Sequence, residues 1–142
     1  MPLTPDLRRT LVGACPLFAG LAGDELGAVA DAAVEVEFAP DRVIARQGEI
    51  GTGFFVIAEG RVRVVRDGSV VARLGPGEFF GELSVIDGAP RNAQVVAETP
   101  VTLLALASWD FERLLRETPG IALTVLRVVV ARLRGAAEDH RT

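Results

Sequence analysis

The chain contains 142 residues, of which 49% are hydrophobic and 24% charged, and its formal net charge is −4. This length and balance predict one globular domain with a hydrophobic core of its own. The negative charge argues against a surface for duplex DNA, the single cysteine excludes an internal disulfide, and no run of about 18 apolar residues is present that could span a membrane.

The N-terminal segment, residues 1–33, is predicted to be helical. It does not open with a charged stretch followed by an apolar run, so we expect no secretory signal and a cytoplasmic location. Two leucines lie one helical turn apart within residues 6–14, which predicts a first short helix. Asp24 is suited to cap a second helix that continues to Ala33.

From residue 34 to residue 107 the hydrophobic pattern changes to a period of two, which predicts short strands. The predicted strands cover residues 34–38, 42–45, 54–58, 61–66, 69–74, 93–97 and 101–106. The turn Asp67-Gly68 is a strong signal for a two-residue hairpin. Frequent turns and short strands predict a small antiparallel β-barrel or jelly roll, because closing a sheet protects its edges. The expected fold is therefore mainly β with flanking helices.

Two C-terminal helices are predicted within residues 108–134. Ser108 is suited to cap the first of them, and the second begins at Pro119. Apolar residues surround most of this second helix, so we expect it to be buried on more than one side. Gly135 is expected to end the helix, and the polar tail over residues 135–142 is expected to be loose.

The stretch from residue 79 to residue 95 carries the candidate site. Gly81 permits a close backbone approach, and a turn that opens a short helix presents N–H groups that favour an anion. Arg91 can clamp two anionic oxygens, while Glu82 can accept hydrogen bonds from sugar hydroxyls. These parts together suit a ligand with one phosphate and one ribose hydroxyl. A surface loop with a Glu82–Arg91 ion pair is an equally simple interpretation.

The same stretch resembles the phosphate-binding cassette of the cyclic nucleotide-binding domain family. The segments Phe80-Gly81-Glu82-Leu83-Ser84 and Pro90-Arg91-Asn92-Ala93 match the family motif in order and spacing. The resemblance extends from about residue 16 to about residue 134 and implies a sensor for a cyclic purine nucleotide. It also implies that Glu82 holds the ribose 2′-hydroxyl and that Arg91 neutralises the cyclic phosphate, helped by backbone N–H groups near Leu83 and Ala93.

Asn92 departs from the family motif, which usually has a small residue or a hydroxyl at this position. The hydroxyl commonly favours guanine in the family, so its absence favours cAMP over cGMP. An amide can also hydrogen-bond a purine edge, so cGMP stays a second candidate.

Other parts of the chain are candidates for contacts with the purine. Strand alternation places Val64, Ala72 and Leu74 on the inward faces of the predicted hairpin, where they would flank the base; packing in the core is the alternative. One arginine of the last helix could stack on the base by a cation–π contact, although a solvated helix face is the commoner role. The candidates for this contact are Arg127, Arg132 and Arg134.

The sequence bears on three possible functions: an enzyme, a degenerate domain without a ligand, and a nucleotide sensor. An enzyme is not expected, because a metal site needs several histidines with a carboxylate and the single histidine, His140, lies in the tail. No cofactor or metal is expected for the same reason. The alternative is a degenerate domain that keeps the fold without the ligand and acts as a structural or interaction domain; loss of Arg91 or Glu82 would be its signature, and both residues are present. The remaining function, a nucleotide sensor, would act through its last helix.

The output of such a sensor is not encoded in the sequence itself. No helix-turn-helix, channel segment or kinase domain accompanies the predicted domain, so we expect an effector protein, a second copy or a larger parent protein, and no direct contact with nucleic acid. The apolar face around Leu126, Val130 and Leu133 is the expected contact surface.

Overall fold

The computed structural model describes residues 3–51, 53–81 and 88–141 of the chain. Within these residues, two helices precede two four-stranded antiparallel sheets and two further helices follow them. The strands are β1 (Val34–Phe38), β2 (Val43–Ala45), β3 (Gly53–Glu59), β4 (Val62–Arg66), β5 (Ser69–Leu74), β6 (Phe79–Phe80), β7 (Gln94–Ala97) and β8 (Val101–Ala107). The helices are α1 (Pro5–Ala14), α2 (Gly23–Ala32), α3 (Ser108–Glu117) and α4 (Pro119–Arg141).

The strand order is β1-β8-β3-β6 in one sheet and β2-β7-β4-β5 in the other. The prediction of a mainly β fold with flanking helices is confirmed, and of the two expected architectures, a β-barrel or a jelly roll, the barrel is not formed because the sheets do not close. Each sheet keeps two open edges among the described residues, because its two outer strands, β1 and β6 or β2 and β5, each pair with a single neighbour. Two of the four edge strands are too short to offer much backbone for pairing with another chain, since β6 has 2 residues and β2 has 3.

Strand β3 separates two hydrophobic cores, because successive side chains on a strand point to opposite faces. Phe54 faces a core built with the four helices, where its ring centroid lies 5.9 Å from that of Phe18 and 5.4 Å from that of Phe111. Phe55 faces the space between the sheets and stacks on Phe80 with centroids 5.0 Å apart. Consecutive residues of β3 therefore pack against the helices and into the core between the two sheets.

Two of the predicted helix caps differ from the observed ones. Helix α2 begins at Gly23 with Ala22 in the N-cap position, so Asp24 lies in the first turn and is not the cap. The Ala22 N–H is satisfied by the carboxylate of Glu25 at 3.1 Å. Strand β8 continues to Ala107, which occupies the N-cap position of α3. Ser108 is therefore the first residue of the helix and not its cap.

Helix α4 is longer than the sequence predicts. It continues through Gly135 to Arg141, so the expectation that Gly135 ends it is wrong, whereas the expectation of a loose tail over residues 135–142 stays a prediction. A glycine that caps a helix takes a positive φ, and Gly135 does not have one. The cost of about 1 kcal/mol for glycine inside a helix is not enough to stop it when helix-forming residues follow.

Candidate functional site

Arg91 lies half-buried in the segment that leads into β7. Its Nη2 donates a hydrogen bond of 3.0 Å to the carbonyl oxygen of Gly53, the first residue of β3. Gly81 directly follows β6, has a φ of +94°, and approaches the same pair. A Cβ on Gly81 would lie 2.8 Å from that carbonyl oxygen and 3.0 Å from Nη1 of Arg91. The structure therefore brings Gly81 and Arg91, from the two ends of the predicted cassette, together at β3.

The backbone around Arg91 is paired with the loop that follows β2. The Arg91 N–H donates to the carbonyl oxygen of Glu49 at 2.8 Å, and the Gly48 N–H donates to the carbonyl oxygen of Arg91 at 2.8 Å. Pro90 and Ile50 form an isolated antiparallel bridge beside these bonds. Because these are backbone contacts, the position of Arg91 depends on the path of this loop.

Arg91 lines a cavity of about 370 Å³, a volume within the usual range for small-molecule sites. The walls come from β1, β2 and the loop after it, β3, and the end of β8. The other described residues that line it are Val34, Val43, Ile44, Ala45, Arg46, Glu49, Ile50, Gly53, Phe55, Ala105, Leu106 and Ala107. Apolar walls with a few charged groups suit a small ligand that combines an apolar body with a negative charge.

The three hairpin residues that were predicted to flank a purine lie elsewhere. Val64 pairs with Ala72 across β4 and β5, and Leu74 lies opposite Val62. Val64 and Leu74 are half-buried against the core between the sheets, whereas Ala72 is exposed. None of the three is among the described residues that line the cavity beside Arg91, and their contact with a purine stays a prediction.

The other predicted cassette residues are placed only in part. Glu82 and Leu83 lie outside the described residues. Asn92 is exposed, and its carbonyl oxygen accepts a hydrogen bond of 3.2 Å from Nε of Arg66. Ala93 is buried just before β7 begins. The Asn92 backbone is thus tied to the end of β4, while its side chain is left at the surface.

The candidate arginines of the last helix do not line the cavity in the described part of the chain. Arg127 and Arg134 are exposed on α4, and the Arg132 side chain lies outside the described residues. Stacking of one of these arginines on a base stays a prediction.

Several residues beside Arg91 were not singled out from the sequence. Gly53 supplies the carbonyl acceptor, and Arg46 and Glu49 line the cavity. The sequence marks this region only as turns around Gln47-Gly48-Glu49. Its pairing with residues 90–91 joins positions about 40 residues apart in the chain, and no local pattern reports such a contact.

The described residues contain neither a metal-binding cluster nor a membrane-spanning helix. No cluster of three or more His, Cys, Asp and Glu side chains capable of holding a metal ion is found among them. Within the same residues, no helix combines the length and apolar character needed to cross a membrane.

Comparison with known proteins decides the family. Residues 35–118 match the family model of the cyclic nucleotide-binding domain. The chain belongs to the cyclic nucleotide-binding domain family. The cassette resemblance in residues 79–95 and the two-sheet fold agree with this membership.

The chain is similar to regulatory proteins of different kinds. It is 40% identical over 129 residues to a cyclic nucleotide-gated potassium channel of Rhizobium etli, an alignment that covers 91% of this chain and 36% of the channel. It is 35% identical over 126 residues to the cyclic AMP receptor protein of Thermus thermophilus, covering 85% of this chain and 58% of that protein. The chain therefore spans less than two thirds of either relative.

The fold is similar to that of a solved member of the family. The crystal structure of the Thermus thermophilus catabolite activator protein superposes with a TM-score of 0.82 at 34% sequence identity. The match covers 89% of this chain and 62% of that one. The arrangement of the two sheets and flanking helices is therefore the one that the family uses.

The close approach at Gly81 predicts a stability difference between the two glycines that flank β6, Gly77 before it and Gly81 after it. Gly81→Ala should lower the free energy of unfolding more than Gly77→Ala. Both residues have a positive φ, but only Gly81 has described atoms within 4 Å of an added Cβ. We expect about 1–2 kcal/mol for the left-handed backbone in each variant and about 1–3 kcal/mol more at Gly81 for the forced shift of Gly53 or Arg91. Urea denaturation of both variants measures this, and equal losses would contradict the placement of Gly81.

Proposed function

We propose that this domain binds a cyclic purine nucleotide, with cAMP preferred over cGMP, and acts as a sensor. The observation that carries the proposal is the position of Arg91 in the cavity, on a segment that matches the phosphate-binding cassette of the family. The names of a cyclic nucleotide-gated channel and a cyclic AMP receptor protein among its relatives support the same ligand class.

Arg91 is proposed to bind the cyclic phosphate. A guanidinium carries several N–H donors in one plane, so it can donate hydrogen bonds to the Gly53 carbonyl and to a ligand at the same time. The bond to Gly53 fixes the orientation of the guanidinium before the ligand arrives. A preoriented donor loses less conformational entropy on binding than a mobile one, so the arrangement favours a tight phosphate contact.

Glu82 and Asn92 are proposed to select the sugar and the base. Glu82 would accept a hydrogen bond from the ribose 2′-hydroxyl, as the cassette resemblance implies. Asn92 lacks the hydroxyl that commonly favours guanine in the family, and its exposed side chain sits on a backbone held by Arg66. This combination supports cAMP as the preferred nucleotide.

The last helix is proposed to transmit binding to a partner. One side of α4 is fixed in the helical core through Ile121 and Val125, which are 1% and 4% exposed. A second side carries a stripe of exposed apolar residues at alternating spacings of three and four, which lie on one face of a helix. The stripe consists of Leu123, Leu126, Val130 and Leu133. An apolar stripe at the surface suits an effector protein or a second copy of the chain.

A binding module, and not an enzyme, is the function that these relatives support. They are named as a channel and as a receptor protein. We propose a cytoplasmic location, which suits a chain whose single cysteine is buried. The process that the whole protein controls depends on its partner.

Calorimetry tests the ligand class. The protein should bind cAMP with a Kd in the micromolar range or below, cGMP more weakly, and 5′-AMP much more weakly. The open monophosphate carries additional negative charge, and its phosphate lies in a different place relative to the ribose. If neither cyclic purine nucleotide gives saturable heat, the proposal is wrong and a ligand-free interaction domain takes its place.

The two polar anchors should contribute unequally. Arg91→Ala should weaken cAMP binding by about 2–4 kcal/mol, because it leaves a charged phosphate without its charge-assisted hydrogen bonds. Glu82→Ala should cost less, because it removes a contact to a neutral hydroxyl. Titration of cAMP into both variants measures the difference, and circular dichroism checks that each variant is folded. Parent-like affinity in Arg91→Ala would contradict the phosphate assignment.

Hydrogen exchange tests the role of the last helix. Saturating cAMP should slow exchange over residues 119–134, because a ligand shifts an equilibrium toward the state that it binds better. The Arg91→Ala variant at the same cAMP concentration serves as the control and should change less over these residues, because it is expected to bind cAMP more weakly. Unchanged protection over residues 119–134 at saturation would reject the helix as the output, even if binding itself were established.

A further inference from the structure

Arg46 lines the same cavity as Arg91 and lies outside the phosphate-binding cassette. It directly follows β2, is exposed, and lines the cavity together with Glu49. The side chain forms no ion pair within the described residues, although four other arginines of the chain do. A cation that lines a cavity without forming such a pair can attract an anionic ligand that enters the cavity.

The loop that carries Arg46 is fastened to Arg91 on one side. Two residues of this loop, Gly48 and Glu49, form backbone hydrogen bonds of 2.8 Å with Arg91, and Ile50 forms a β-bridge with Pro90. The backbones that carry the two arginines therefore keep a fixed spacing. An anion held by Arg91 would lie within reach of the electrostatic field of Arg46, because both side chains line one cavity.

The same loop is fastened to the β4–β5 hairpin on its other side. The side-chain amide of Gln47 donates to the carboxylate of Asp67 at 2.9 Å, and its oxygen accepts from the Asp67 N–H at 3.1 Å. Asp67 has a φ of +52° and lies in the hairpin turn. The loop that carries Arg46 is thus held by hydrogen bonds to Arg91 and to Asp67, so the position of its backbone is set before any ligand binds.

We propose that Arg46 is a second cation of the ligand site, which attracts the cyclic phosphate toward Arg91. This inference rests on the proposed function. Arg46 is exposed, so its attraction for the phosphate is screened by solvent and salt and is weaker than that of the half-buried Arg91. Glu49 lines the cavity beside it and reduces the net positive charge, which further limits the effect. Arg46 thus adds affinity by long-range attraction, whereas Arg91 adds it by direct hydrogen bonds.

Arg42 supplies a matched control. It lies at the opposite end of β2, is also exposed, and does not belong to the described lining of the cavity. Its hydrogen bonds to Ala39 and Ala97 use backbone atoms, so truncation of the side chain leaves them in place. Arg42→Ala and Arg46→Ala change the net charge of the protein equally, and a difference between them isolates the position of the charge.

The experiment is calorimetric titration of cAMP into the parent, Arg46→Ala and Arg42→Ala at two salt concentrations. At about 0.01 M salt, Arg46→Ala should bind about three- to fivefold more weakly than the parent, while Arg42→Ala stays within about twofold. At about 1 M salt, where the Debye length falls to about 3 Å, the defect of Arg46→Ala should shrink to within about twofold. A defect that persists unchanged at high salt would indicate a structural role and overturn the inference.

The outcomes separate this inference from the proposed function. If the parent binds cAMP and Arg46→Ala matches Arg42→Ala at low salt, only the role of Arg46 is wrong. If the parent binds neither cAMP nor cGMP, the proposed function is wrong and the role of Arg46 falls with it.

Discussion

The hydrogen bond from the Arg91 guanidinium to the Gly53 carbonyl joins the parts of the molecule that form the proposed ligand site. It links the segment before β7 to the first residue of β3, next to the left-handed turn at Gly81. The bond holds a charged group half-buried at a cavity wall, where an unpaired guanidinium would be costly. Backbone pairing of Arg91 with Gly48 and Glu49 reinforces this position. The cavity, Gly81 and Arg91 of the cassette, and the loop after β2 therefore form one unit.

Strand β3 connects this unit to the helices. Gly53 and Phe55 contact the cavity, whereas Phe54 between them packs on Phe18 and on Phe111 of α3. Ile121 of α4 belongs to the same helical core. A ligand that moved the start of β3 would also move side chains packed against the helices, since tightly packed cores transmit small displacements. This physical continuity supports α4 as the element that reports binding.

Local patterns in the sequence were sufficient for some features of the fold and site. The period of two identified every described strand except the two-residue β6 to within a residue or two, and the turn Asp67-Gly68 marked the β4–β5 hairpin. The cassette motif identified Gly81 and Arg91, which the structure brings together. These features succeed because strand patterns, hairpin turns and a contiguous motif are all encoded within a few neighbouring residues.

Features that depend on distant contacts were not predictable in this way. Edge protection favoured a closed barrel, but pairing of strands far apart in sequence produced two open sheets. Gly135 is helical because its neighbours outweigh the cost of one glycine, so a single-residue stop signal was misleading. Arg46 and Glu49 reach the cavity only because their loop pairs with residues 90–91.

A crystal structure of the chain with bound cAMP would test the central claim most directly. The cyclic phosphate should lie within hydrogen-bonding distance of the Arg91 guanidinium, with the Gly53 carbonyl still bonded to Arg91. A nucleotide bound away from Arg91, with its phosphate facing solvent or another cation, would show that Arg91 is not the phosphate anchor.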